Sequence, residues 1–174
     1  ISSLIQQIED CTFYNCNLTH FTIPPSVKVI GSHAFQLNEL KEIIIPNSVI
    51  EIKSSAFSGC TRLEKVSFEN NSNLKSIKNY AFNECTSLSK ILIPPSTEKI
   101  GERAFFKCYS LKLVGIPSHI LVEKEVFLDC NSLKQILTYS PTNQLIEIND
   151  VKAFKNINYP IYLKINVHNH SLIE

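Results

Sequence analysis

The chain has 174 residues, 44% of them apolar and 19% charged, with a formal net charge of +1. This composition excludes a disordered chain, and a charge so near zero excludes capture of nucleic acid by bulk electrostatics. No apolar run approaches the roughly 20 residues of a membrane-spanning helix, so no membrane insertion is expected of this segment.

Read in chain order, the same elements return. Ile1 aligns with Ile23, so the chain opens inside a repeat. With no initiator Met and no signal pattern at Ile1, it reads as a fragment of a longer array. An apolar pair, Ile5 and Ile8, precedes Phe13. The pairs Val27/Ile30, Val49/Ile52, Leu74/Ile77, Thr97/Ile100 and Leu145/Ile148 precede later phenylalanines, with a shorter variant at 120–122. The phenylalanines are Phe13, Phe35, Phe57, Phe82, Phe105, Phe127 and Phe154, at intervals of 22, 22, 25, 23, 22 and 27. Three residues after five of them stands a cysteine: Cys16, Cys60, Cys85, Cys108 and Cys130. Asn38 and Ile157 hold that slot in the other two copies. An alternating run follows each slot, at 18–23, 40–45, 63–68, 88–93, 111–116 and 133–138, and four of the runs close with Ile-Pro.

Period two in each run predicts a short strand with one buried face. Proline after the strand cannot donate to a ladder and ends it. In I-x-x-x-A-F-x-x-C the apolar positions fall at helical spacing, which predicts a helical turn of two turns at most. A unit of 22 to 27 residues cannot bury its own apolar side, so successive units stack into a solenoid with equivalent side chains in columns. Two departures are expected to bulge. One is at Phe68-Glu69, where proline is missing and the loop ENNSNL is longer; the other is TYSPTNQ after Leu137.

The pattern L-x-x-I-x-I-P-x-S-V-x-x-I-x-x-x-A-F-x-x-C closely resembles the BspA-type leucine-rich repeat. Ile45-Pro46-Asn47-Ser48-Val49, Ile52, Ala56-Phe57 and Cys60 carry it almost complete. Ile93-Pro94-Pro95-Ser96, Ile100-Gly101, Ala104-Phe105 and Cys108 carry it again. The resemblance implies an α/β solenoid: a right-handed superhelix of about six to seven coils, with short parallel strands on one face and short helical turns on the other. It would form one domain over 1–174, with 166–174 as a tail. The family occurs in surface and secreted proteins of bacteria and parasitic protists. The resemblance therefore implies a non-enzymatic module of a cell-surface or secreted protein that binds host proteins, matrix or other cells. An intracellular scaffold with the same fold is the alternative.

The recurring cysteines read as a reduced packing column, because a free cysteine behaves as a small buried hydrophobe and side chains that point the same way oppose disulfide geometry. One cysteine per coil in a line offers zinc no tetrahedron. Cys11 is off-register and expected near the surface of the first coil. Six cysteines without pairing weakly favour a reducing compartment, against the address implied by the family. His168 and His170 are too few for a metal site, and His20, His33 and His119 are isolated. No nucleophile, zinc-protease, phosphate-loop or dinucleotide motif occurs, so neither a catalytic constellation nor a cofactor is expected. Sequons stand at Asn17, Asn70 and Asn169; Asn70, in the longer loop, is the best-placed acceptor.

The strand face is the expected binding surface. Its outward positions form one row of His20, Glu42, Lys65, Lys90, Leu113 and Gln135, and a second of Thr22, Ile44, Ser67, Leu92, Gly115 and Leu137. Ile44, Leu92, Leu137 and Leu113 would make an exposed apolar patch with Lys65 and Lys90 as a basic rim. That patch, or the ends of the repeat array, would dock a protein partner or a second copy.

Overall fold

The computed structural model describes residues 5–139, together with the backbone of strands at 145–147, 161–162, 164–165 and 172–173. Phe154, Ile157, Ile148, the His168/His170 pair and the Asn169 sequon lie outside the described residues.

The apolar pairs form one parallel sheet of two-residue strands. In order these are β1 (Gln7–Ile8), β2 (Val29–Ile30), β4 (Glu51–Ile52), β6 (Ser76–Ile77), β8 (Lys99–Ile100) and β10 (Leu121–Val122). Each coil sets its isoleucine or valine on that of the coil before it: Ile8 on Ile30, Ile30 on Ile52, Ile52 on Ile77, Ile77 on Ile100 and Ile100 on Val122. The alternating runs form the second sheet, with β3 (Glu42–Ile45), β5 (Lys65–Phe68), β7 (Lys90–Leu92), β9 (Leu113–Pro117) and β11 (Gln135–Tyr139) parallel and in sequence order. Burial alternates along β3, with Ile43 and Ile45 inside and Glu42 and Ile44 outside, as period two requires.

The third wall differs from the helical turns that the spacing predicts: no α-helix forms among the described residues. The Ala-Phe segment is two consecutive turns, each ending on a left-handed residue. One such residue precedes the alanine or its equivalent: Cys11, His33, Ser55, Tyr80, Arg103 and Glu125, with φ between 52° and 59°. The other stands two after the phenylalanine: Asn15, Leu37, Gly59, Glu84, Lys107 and Asp129. A left-handed backbone costs a non-glycine residue roughly 1–2 kcal/mol, and inter-coil hydrogen bonds offset it. His33, Phe35 and Leu37 donate their N–H to the carbonyls of Ser54, Ala56 and Ser58 in the next coil, at 3.0, 2.7 and 2.9 Å. The next coils repeat this, with Phe57 to Ala81, Phe82 to Ala104 and Phe105 to Val126. An α-helical turn would close these bonds within one coil and leave nothing to join it to its neighbour.

Inside, the rings of Phe35, Phe57, Phe82, Phe105 and Phe127 stack with centroids 5.2, 5.2, 5.3 and 5.5 Å apart and planes within 9°. Phe13 adds a sixth ring at 5.3 Å from Phe35. Among the described residues six coils are therefore defined, within the six to seven expected. Leu145 lies in β12 (Leu145–Glu147), which pairs antiparallel with β11 instead of continuing the parallel sheet beside β10. A second antiparallel strand, β13 (Ile161–Tyr162), borders β10. Both sheets thus end on an antiparallel strand at this side. The remaining strands, β14 (Lys164–Ile165) and β15 (Leu172–Ile173), pair with each other.

Candidate interaction surface

The cysteine column performs a specific task. Each buried thiol donates to the carbonyl of the phenylalanine one coil earlier: Cys60 to Phe35 at 3.2 Å, Cys85 to Phe57 at 3.3 Å, Cys108 to Phe82 at 3.2 Å and Cys130 to Phe105 at 3.0 Å. Asn38 does the same in its coil, donating Nδ2–H to Phe13 at 2.6 Å and to Phe35 at 2.9 Å, while its Oδ1 accepts the Leu18 N–H at 2.8 Å. Cys16 departs from the column. Its Sγ meets the Tyr14 carbonyl at 3.5 Å and the side chain is exposed, as is Cys11. All six cysteines are free.

Burial pushes the Cys60 thiol from 9.0 up to about 11, and raises Cys85 and Cys108 well above the ordinary value; neighbouring sulfurs add to the rise at both. A thiol whose folded pKa exceeds its unfolded one binds the proton more tightly when folded. Its contribution to stability is complete below the unfolded pKa and is lost as pH rises toward the folded value. Two consequences can be measured. Thiol titration of the native protein should modify Cys11 and Cys16 promptly and Cys60, Cys85, Cys108 and Cys130 only after denaturation. Stability should also fall as pH rises from about 9 toward 11, and this fall should be smaller in a variant with alanine at the buried cysteines, which leaves only other groups such as the raised Tyr139 hydroxyl.

On the strand wall, register confirms the first outward row through Glu42, Lys65, Lys90, Leu113 and Gln135. Glu42, Lys65 and Lys90 are exposed, while Leu113 and Gln135 are half-buried. His20 is exposed but stands in a stretch without strand structure. In the second row Ile44 is 56% exposed and Leu92 47%, while Leu137 is half-buried. Gly115 is buried, contrary to its outward phase. The Leu92 side chain leans over it, with Cδ2 2.6 Å from where a Cβ would stand, and the Tyr139 ring lies 3.4 Å from the same point.

The apolar patch is therefore not continuous as read from phase alone. Ile44 stands apart from Leu92, with Ser67 and a parting of the sheet between them. β5 and β7 share a single register pair, Lys65 with Lys90, whereas β3 and β5 share four. Beyond that pair the two strands bond away from each other. The Glu69 N–H turns to Ile45 at 3.0 Å and the Ile93 N–H to Gly115 at 2.8 Å. This parting coincides with the longer coil, whose loop is held to the previous one by the Asn73 N–H on the Asn47 carbonyl at 3.1 Å.

The result is a cleft of about 1280 Å³ between the lips Val66–Phe68 and Leu92–Pro94, walled by the loop of Glu69 to Ser72 and by Tyr139. Asn70 lines its rim and is exposed, and Asn17 is exposed on a left-handed turn. Sequence reasoning missed Tyr139. Its signal was a tyrosine at the position held by proline in the neighbouring coil, in register with Pro117. Burial raises its hydroxyl above the ordinary value. Among the described residues no group of His, Cys, Asp and Glu could hold a metal, and no helix is long and apolar enough to cross a membrane.

A solenoid of repeated coils with an alternating phenylalanine and cysteine interior and a strand-lined wall defines the leucine-rich-repeat class. The BspA type leucine-rich repeat region matches residues 1–73 and 69–170, in six copies, and the chain belongs to that family. Among solved structures, the leucine-rich repeat protein of T. pallidum is 27% identical. The match covers 75% of this chain and 50% of that one, with a TM-score of 0.53. The pneumococcal vaccine antigen PcpA is 26% identical, over 83% of this chain and 33% of that one, with a TM-score of 0.55. A leucine-rich cell surface protein of Faecalibacterium prausnitzii shares the fold at 22% identity, over 92% of this chain and 51% of that one, with a TM-score of 0.58. This chain thus spans about half or less of each. No curated protein matches it.

Proposed function

We propose that this chain is a non-enzymatic docking module of a surface or secreted protein, and that its strand wall meets a protein on another cell, on matrix or on a host. Leucine-rich repeats of this type are interaction repeats. The observation that carries the reading is the placement of Leu92 and Ile44: large apolar groups about half exposed on a wall whose other outward apolar side chains, Leu113 and Leu137, are half-buried. The family and its likeness to a pneumococcal vaccine antigen support the address.

The test is the double substitution Ile44→Asp with Leu92→Asp. Both side chains stand outside the core, so the thermal midpoint should stay within a few degrees of the parent. Adhesion of domain-coated beads to cultured cells or to extracellular matrix should fall about tenfold or more. A folded variant that adheres like the parent removes this wall from the function. A variant that no longer folds would mean that the two residues belong to the core.

A further inference from the structure

We propose that the cleft and the coils beyond it bind an extended acidic segment of the partner, with an apolar side chain seated on Leu92 and Tyr139 and carboxylates on Lys90, Lys112 and Lys134. The inference rests on the reading of the strand wall as the docking face, and adds the chemistry of what docks there.

The walls differ in how they handle charge. On the first sheet and the turn wall, four lysines pair with carboxylates one coil away, Lys75 with Glu98 at 2.8 Å, Lys78 with Glu51 at 3.0 Å, Lys99 with Glu123 at 2.6 Å and Lys124 with Glu102 at 3.4 Å, although Lys28 has no ion pair among the described residues. On the strand wall Lys65 meets Glu42 at 3.9 Å, with both side chains about two-thirds exposed, which is a weak pair. Beyond the cleft even that stops. The runs 88–94, 111–117 and 133–139 contain Lys90, Lys112 and Lys134 and no Asp or Glu. All three lysines are exposed, and none has an ion pair among the described residues. Lys134 donates its backbone N–H to the Lys112 carbonyl at 3.0 Å, so these two cations stack on adjacent coils. Like charges so placed repel, and an anion between them relieves the repulsion.

The balance changes along the axis. The β5 lip carries Glu64 and Glu69 against Lys65, and the Glu69 carboxylate already accepts the Asn47 N–H at 3.0 Å. That lip is neutral or acidic, while the wall beyond β7 is basic up to Glu147, which stands in register with Leu137. The parted lips offer the apolar seat. Phe68, Leu92 and Tyr139 border the space, and Gly115, with no Cβ, leaves room for Leu92 and Tyr139 to approach each other over it. A segment with an apolar anchor in the cleft and acidic residues toward β9 and β11 matches both features.

Selection of random peptides displayed on phage against the immobilised chain tests this. Peptides recovered should be enriched in Asp and Glu beside Leu, Phe or Tyr. Their synthetic versions should bind about tenfold more weakly to Lys90→Glu with Lys112→Glu, variants confirmed as folded by circular dichroism, and more weakly as salt rises. Recovery of neutral or basic peptides, of none, or of acidic ones whose binding ignores both the lysine changes and salt would overturn the proposal. The adhesion test with Ile44 and Leu92 reads the wall independently. Adhesion that depends on those residues while acidic peptides fail would reject the acidic partner and leave the docking wall standing.

Discussion

Phe82→Ala should lower the unfolding free energy by about 3–5 kcal/mol, the range for removing a large buried aromatic side chain. The ring is fully buried between Phe57 at 5.2 Å and Phe105 at 5.3 Å, so truncation leaves a void bounded on both sides by ring faces. Neither neighbour can collapse into it, because each is fixed by the hydrogen bonds of its own turn wall to the next coil. The same change at Phe13 should cost clearly less, since that ring is only partly buried. Urea denaturation, with the slope fitted separately for each variant, measures both. In a stack where each coil contacts only its neighbours, a defect at the centre also splits the array into two shorter ones. Unfolding of the Phe82 variant should accordingly lose cooperativity, visible as a shallower transition. A loss below about 1 kcal/mol would show that the ring column does not carry the stability.

Gly101→Ala is the second large effect, about 1–3 kcal/mol of destabilisation or more, typical of overpacking a close-packed site. The cause is not conformational freedom but approach. An added Cβ would stand 2.6 Å from the Asn79 backbone nitrogen and 2.7 Å from the Lys78 carbonyl carbon, besides overlapping the Asn79 side-chain oxygen. Gly31 is in the same position over Glu9 and Asp10, with backbone atoms at 2.6 Å. The two sites share a reason. Asp10 and Asn79 each reach up to accept the next coil's N–H, from Ser32 at 2.7 Å and from Glu102 at 3.1 Å, and the coil above carries glycine where the backbone is drawn close. The equivalent residues Lys53 and Lys78 lie over Ser32 and Ser54 and keep full side chains. Asn79→Ser should therefore relieve part of the Gly101→Ala penalty, giving a non-additive cycle by urea denaturation. Additive losses would separate the two residues energetically.

Both effects concern which residue lies above which, and that is legible in the sequence alone. Phenylalanine at intervals near 22 with cysteine three residues later can be satisfied only by columns, because one short coil cannot bury Phe57 or Cys60 without a coil on either side. The outward row through Glu42, Lys65 and Lys90 follows from the same register. The first sheet was not legible in this way, because the isoleucine that closes each apolar pair also opens the helically spaced I-x-x-x-A-F-x-x-C. What misled was the spacing around Ala-Phe. Apolar positions at 0, 4, 5 and 8 suit a helix and suit two stacked turns equally, and only Gly59 among the left-handed residues is a glycine to mark the difference.

Sequence by itself determined the repeat, the interior columns and the alternation of the strand wall, since these depend on side-chain polarity and period, which are local. Only the tertiary structure decided three things. The turn wall bonds between coils instead of within them, because a backbone N–H chooses its partner by geometry and carries no sequence mark. The thiols serve the phenylalanine carbonyls one coil away. The sheet parts between β5 and β7, leaving a cleft beside lysines that have no ion pair among the described residues, because the parting depends on how a longer loop is held across coils and the pairing on which carboxylates stand within reach. These are distances between residues more than 20 apart in the chain.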